Sequence, residues 1–171
     1  MKWILIVAGS LVAIVALAAI IGLLLPKGHV ASKSIKLKRP PEEVWRAITD
    51  YAAMPKWRRK MDKIERLPDQ NGHPVWQEIY SNGWKLPLEE ERAEPPARLV
   101  RRIADPSLPF GGYWEYELSA ANGGSLLRVT EHGEVSNPIF RLVGKFMDPS
   151  ATIRDYLEDL AKHFDEEARI E

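Results

Sequence analysis

The stretch PIFRLVGKFMDPSATIRDYLEDLAKHFDEEARI, residues 138–170, is the only long helical pattern after the first 26 residues, and the intervening chain reads as strand and turn. Ile153, Tyr156, Leu157, Leu160 and Phe164 recur at the i, i+3, i+4, i+7 spacing of one helix face. Arg154, Asp155, Glu158, Asp159, Lys162 and Glu166 fill the other face, so this is a helix that lies on a sheet. Upstream, Ile139, Phe140, Leu142, Val143, Phe146 and Met147 form a shorter apolar run. Asp148-Pro149-Ser150 is expected to kink or split the helix, because proline removes a hydrogen bond and clashes with the preceding turn.

Working back from this segment, short extended runs are divided by turn chemistry. They cover Met61–Leu67, Val75–Tyr80, Trp84–Glu94, Arg98–Asp105, Tyr113–Ser119 and Leu126–Val135, with Ser34–Leu37 as a weak first strand. Asn82-Gly83 predicts a type I′ hairpin turn, in which both central residues take positive φ. Pro41 with Glu42 and Glu43 predicts a helix start, since proline suits the first turn and acidic side chains suit its positive end. A second short helical turn is expected around Met54 and Trp57.

The chain has 171 residues, a formal net charge of +0 and 28% charged residues, which bounds it to one globular domain plus a small extra element. Balanced charge removes the electrostatic argument for a nucleic-acid partner. With no cysteine there is no disulfide framework, thiol nucleophile or cysteine metal site. No cofactor motif is present. Trp3–Leu25 carries no charge and is long enough to cross a bilayer. It also outruns the roughly 7–15 apolar residues of a signal peptide. The expected organisation is therefore a transmembrane anchor over 1–26, a linker over 27–33 and a folded domain over 34–171. Lys27, Lys33, Lys36, Lys38 and Arg39 follow the span against Lys2 before it, which by the positive-inside rule favours a cytoplasmic domain on a single-pass protein.

The order strand, two short helices, antiparallel strands, long helix resembles the helix-grip fold of the START-like superfamily, in particular the SRPBCC proteins of the polyketide cyclase/dehydrase and lipid-transport family. The residues that carry the likeness are Pro41–Asp50, Met54–Arg58, Pro95–Val100, Gly111–Trp114, Thr130–Val135 and Asn137–Arg141. The resemblance implies an α+β fold, with a curved antiparallel sheet around a long carboxyl-terminal helix and a cavity between them. Its members include lipid carriers, hormone receptors and cyclases, so function has to be read from the site.

In a sheet with one wet face, alternate residues point inward. That places Trp114, Tyr116 and Leu118 on the cavity side of one strand, and Leu127, Val129, Glu131, Gly133 and Val135 on that of its neighbour. Glu131 is the odd member. It is either a polar anchor or general acid, or one half of a structural pair with Arg101 or Arg102. Trp76, Glu78 and Tyr80 alternate likewise, giving a second cavity carboxylate if the aromatics face inward, whereas Val75 and Ile79 argue for the opposite register. Trp57, Trp84 and Phe110 lie in or beside loops and are expected at a pocket mouth or in ordinary core packing. With Phe140 from the apolar run, these residues make the candidate ligand wall.

Catalytic signals are thin. The four histidines lack ligand-spaced partners, and His163 with Glu167 at i, i+4 reads as a surface pair. The expectation is a membrane-anchored binding protein for a hydrophobic small molecule such as a lipid, isoprenoid or quinone. The alternatives are a cyclase or dehydrase using Glu131 or Glu78, and a partner-binding module whose cavity is filled by its own side chains.

Overall fold

The computed structural model describes residues 2–171. Seven strands form one antiparallel sheet in the order β1-β7-β6-β5-β4-β3-β2, comprising β1 Gly28–Leu37, β2 Met61–Gln70, β3 His73–Tyr80, β4 Lys85–Glu94, β5 Arg98–Ile103, β6 Phe110–Ala121 and β7 Gly124–Val135. Four helices accompany it: α1 Lys2–Leu24, α2 Pro41–Thr49, α3 Pro138–Gly144 and α4 Ala151–His163. Pro41 opens α2 and Glu42 and Glu43 occupy its first turn, while Val44 and Ile48 turn inward and are buried. The helix grip expected from residues 138–170 is present. Ile153, Leu157 and Leu160 of α4 are fully buried against Ile35, Leu127 and Val129 of β1 and β7.

Proline 149 does split the helical segment, with Ser150 at the start of α4. The helix stops at His163 rather than continuing to 170, because Asp165 takes a left-handed φ of 56° and turns the chain back. Ile170 then bridges to Ile35, and Ser34 and Glu171 exchange backbone hydrogen bonds of 3.0 and 2.9 Å. The expected helical neighbours His163 and Glu167 consequently share no helix face. His163 stacks on Trp57 and Glu167 pairs with Arg169.

Two further expectations are corrected. Residues 28–33, read as linker, are the first half of β1, which pairs with β7 continuously from Gly28 opposite Glu134 to Leu37 opposite Ser125. Backbone pairing to the long β7 holds this stretch, whose small residues hide the alternation. The Asn82-Gly83 turn is not type I′, because only Gly83 has positive φ, 81°. Gly83 N–H donates to Tyr80 C=O and Tyr80 N–H to Trp84 C=O, which makes a three-residue loop closed by a glycine bulge. The turn with two positive φ values is Asn71-Gly72, at 53° and 82°, between β2 and β3.

Helix α1 is exposed along almost its whole length. A core helix would be buried, and this one is not. Only its last turns touch the domain: Ala18 and Ala19 are half-buried and Gly22 is buried. A β-carbon at residue 22 would lie 1.9 Å from the Pro138 carbonyl oxygen, so glycine is what lets α1 approach the start of α3. Arg141 of α3 locks the contact. Its guanidinium donates to the carbonyls of Gly22 and Leu25 at 3.2 and 3.4 Å and to those of Val135 and Ser136 at 2.8 Å each. Carbonyls at the end of a helix have no partner within it, and a buried cation there satisfies both the hydrogen bonds and the dipole.

Candidate ligand-binding site

A cavity of about 450 Å³ lies between the concave face of the sheet and the helices α3 and α4. Its lining is mostly apolar and aromatic. The inner end is closed by the buried Tyr116 and Tyr156, whose rings meet edge to face at 5.6 Å. Its outer end is walled by exposed side chains, Trp84, Phe140, Val143 and Met147. Tyr80, Trp84 and Phe110 form one aromatic side, with ring centroids 5.4 and 5.9 Å apart in sequence.

The two carboxylates expected on this face are both there, in different company. Glu78 is buried, and it accepts from Arg101 Nη1 at 2.7 Å and from the Tyr80 hydroxyl at 2.6 Å. Burial alone would raise the Glu78 carboxyl, but the charges of Arg101 and Arg58, with these hydrogen bonds, hold it below the usual carboxylate value. Glu131 sits nearer the outer end. One of its oxygens accepts from Trp114 Nε1 at 2.8 Å and from Thr152 Oγ1 at 3.0 Å, and the other lies 3.1 Å from His29 Nε2. The expected pairing of Glu131 with Arg101 or Arg102 is thus overturned: Arg101 is taken by Glu78 and Arg102 by Glu91. Cross-strand register does place Trp114 opposite both Arg101 and Glu131. The guanidinium nevertheless reaches the other way along the sheet, toward the buried carboxylate. Gly133 makes room for the His29 ring, which a β-carbon at residue 133 would meet at 2.1 Å.

Of the eleven residues singled out from the sequence, Glu78, Tyr80, Trp84, Phe110, Trp114, Tyr116, Glu131 and Phe140 line this cavity. Three do not. Trp57 is packed in the core beneath α4, stacked on His163 and edge-on to Tyr156, because the short 3₁₀ turn Met54–Lys56 folds it under the helix. Trp76 faces inward with Glu78 but is covered by Tyr51 at 4.6 Å, which closes that end of the sheet. Val129 is fully buried in the core under α4.

Residues the sequence reading missed are His29, hidden in the supposed linker, Arg58, and the α4 pair Thr152 and Tyr156, one helical turn apart. Tyr156 was visible in the apolar stripe and Arg58 within the Met54–Arg58 motif, but neither carried a sign of facing a hollow. Among the described residues no three His, Cys, Asp or Glu side chains converge as a metal centre needs.

A curved sheet gripping a helix around an apolar hollow defines the class of START-like ligand-cavity folds. Residues 29–165 match the family model described as polyketide cyclase / dehydrase and lipid transport, and the chain belongs to that family. Solved structures agree on the fold. A protein from Mesorhizobium loti superposes with a TM-score of 0.62 at 20% identity, covering 80% of this chain and 97% of its own. A START superfamily protein from Mycobacterium smegmatis gives 0.62 at 16% identity, with coverage of 80% and 97%. Norcoclaurine synthase from Thalictrum flavum, solved in complex with dopamine and hydroxybenzaldehyde, gives 0.64 at 8% identity, with coverage of 85% and 90%. A search of curated proteins by sequence returned no match.

Proposed function

We propose that this protein is a membrane-anchored binder of a hydrophobic small molecule, held in the cavity between the sheet and α4. The observation that carries the reading is the cavity itself. At about 450 Å³ it falls within the roughly 300–1,000 Å³ range of small-molecule sites, and its walls are largely apolar with a few convergent polar groups. An interaction module filled by its own side chains would leave no such space. Burial of ligand surface supplies the affinity, at about 25 cal/mol per Å² removed from water, and the polar stations orient the molecule.

Membrane attachment rests on α1. Its 23 residues make a helix about 35 Å long at about 1.5 Å per residue, against a hydrocarbon core of about 30 Å. Gly22 and Arg141 tie α3 to the last turns of α1, so a spanning α1 would bring the exposed Phe140, Val143, Phe146 and Met147 to the level of the lipid headgroups. The outer end of the cavity therefore opens at the bilayer boundary, and an apolar molecule can enter from lipid without crossing water.

Two measurements on the full chain test this. Alkaline carbonate extraction should leave the protein in the membrane pellet, and release into the supernatant would remove the anchor. In nanodiscs, the neutral probe N-phenyl-1-naphthylamine should quench tryptophan emission saturably at one site per chain. Leu88→Trp, which fills the cavity wall, should abolish that phase; non-saturable quenching indifferent to the substitution would end the binding reading.

A catalytic reading draws on one specific observation, the Glu131 carboxylate 3.1 Å from the His29 imidazole on the cavity wall, a geometry suited to general acid–base work. Comparing the molecules that co-purify with wild type and with Glu131→Gln separates the two. A carrier brings down the same compound in both, whereas an enzyme accumulates its substrate in the variant.

A further inference from the structure

Around the cavity the carboxylates of the inward sheet face are already engaged, while several donors are not. Glu78 is already engaged by Arg101 and Tyr80. Glu90, the next carboxylate on this face, accepts from the Tyr51 hydroxyl at 2.5 Å, and Glu131 is held by Trp114, Thr152 and His29. Against these stand donors without a protein partner, Arg58 at the cavity surface and others buried. The Arg58 guanidinium lines the cavity with its central carbon 4.9 Å from the centre of the Tyr156 ring. Among the described residues it has neither an ion-pair nor a hydrogen-bond partner. The Tyr156 hydroxyl, also in the cavity wall, is buried without a partner, and so are Nε and Nη2 of Arg101 immediately behind. A guanidinium has five N–H donors and no acceptor, and buried polar groups left unpaired are costly.

We propose that Arg58, assisted by the Tyr156 hydroxyl, is the headgroup subsite of this cavity, and that the ligand is an amphiphile ending in an oxyanion, a carboxylate or a phosphate. This deepens the binding reading above and rests on it. A planar guanidinium seated over an aromatic ring presents its N–H groups as a fork, which matches the two oxygens of such a group bidentately. The direction is set by the walls. The oxyanion sits at the inner, aromatic-floored end and the apolar chain runs outward past Trp84, Phe140 and Met147 toward α3. Electrostatics agree: burial alone would push the Arg58 guanidinium down, but the Glu78 charge keeps it above its ordinary value, and burial pushes the Tyr156 hydroxyl well up, so both stay protonated as donors. Glu78 belongs to the same cluster as a fixed counter-charge that keeps both arginines in place while leaving a net cation for the ligand.

The test uses the full chain in nanodiscs and two fluorescent probes, 11-(dansylamino)undecanoic acid and its methyl ester. Wild type should bind the acid at least about tenfold more tightly than the ester, in line with a charge-assisted hydrogen bond. Arg58→Met should erase the difference while keeping ester affinity, and Arg58→Lys should restore part of it. Tyr156→Phe, a milder change, should weaken the acid about threefold and leave the ester alone. In competition, dodecanoate and dodecyl phosphate should displace the acid probe where dodecanol does not, and the stronger of the two identifies the source of the oxyanion. Equal binding of acid and ester, or an acid preference unchanged in Arg58→Met, overturns the inference while leaving a hydrophobic carrier. Failure of wild type to bind either probe overturns the carrier reading and this inference with it.

Discussion

Glu78 and Glu131 look alike in the sequence, each a lone carboxylate at an inward position of an otherwise apolar and aromatic strand face, yet the fold treats them in opposite ways. Glu78 is buried beside Arg101, their side chains 3% and 2% exposed, in a charge pair sealed from solvent. Glu131 meets only an indole, a hydroxyl and an imidazole, at the part of the cavity nearer its open end. Period-2 alternation assigns a carboxylate to a face but not to a partner. The partner is set by which long side chain from a neighbouring strand can reach it. One carboxylate is therefore locked in a buried ion pair, and the other is held by uncharged groups on the cavity wall.

Removal of Arg101 should have the largest effect. Arg101→Met leaves Glu78 buried without its cation and should cost about 3–5 kcal/mol, read as a loss of stability in chemical unfolding of the detergent-solubilised chain. Glu78→Met combined with Arg101→Met should recover most of that, because both charges are gone. If Arg101→Met is as stable as wild type, the sealed pair is not what the geometry says.

Acid should separate the two carboxylates next. The folded pKa of Glu78 lies below its unfolded value of about 4.5, so its stabilising contribution is fully present above pH 4.5 and is lost as pH falls through the folded value. In Glu78→Gln that acid-dependent loss should shrink. An unchanged acid limb in the variant would assign the loss to other groups.

Glu131→Gln should cost only about 1 kcal/mol, since the amide oxygen still accepts from Trp114 and Thr152. A loss approaching that of Arg101→Met would make Glu131 structural after all. The smallest effect is expected at Gly133. Gly133→Ala pushes the His29 ring away from Glu131 but meets only the movable end of a side chain, so stability should change by well under 1 kcal/mol. The signal to follow is the His29 imidazole resonance, which should move as its contact with the Glu131 carboxylate is lost.

The same contrast shows how far the sequence could be read. Helix α4 was legible because Ile153, Tyr156, Leu157 and Leu160 repeat with helical spacing and are all buried. On β3 periodicity alone was ambiguous, and the reason is physical: Val75 and Ile79 are buried on one face while Glu78 is buried on the other. Neither face is wet, so alternation carries little information. The start of β1 was missed because Gly28–Lys33 is held by pairing to β7, about 100 residues away in sequence, and with it went His29 as a site residue. Trp57 and Trp84 carried the same loop signature, and only packing separated them. Trp57 is folded under α4, whereas Trp84 remains 41% exposed at the cavity's outer end. Arg141 gave no sequence hint of its role, because the carbonyls that it caps belong to an element at the other end of the chain.

The proposed function requires that the hollow between α4 and the sheet carry an apolar guest. Native mass spectrometry of the full chain, purified without delipidation, measures that directly. A one-to-one adduct of lipid-like mass that disappears in Leu88→Trp is expected. A bare chain mass for wild type, or an adduct that Leu88→Trp retains undiminished, would contradict it.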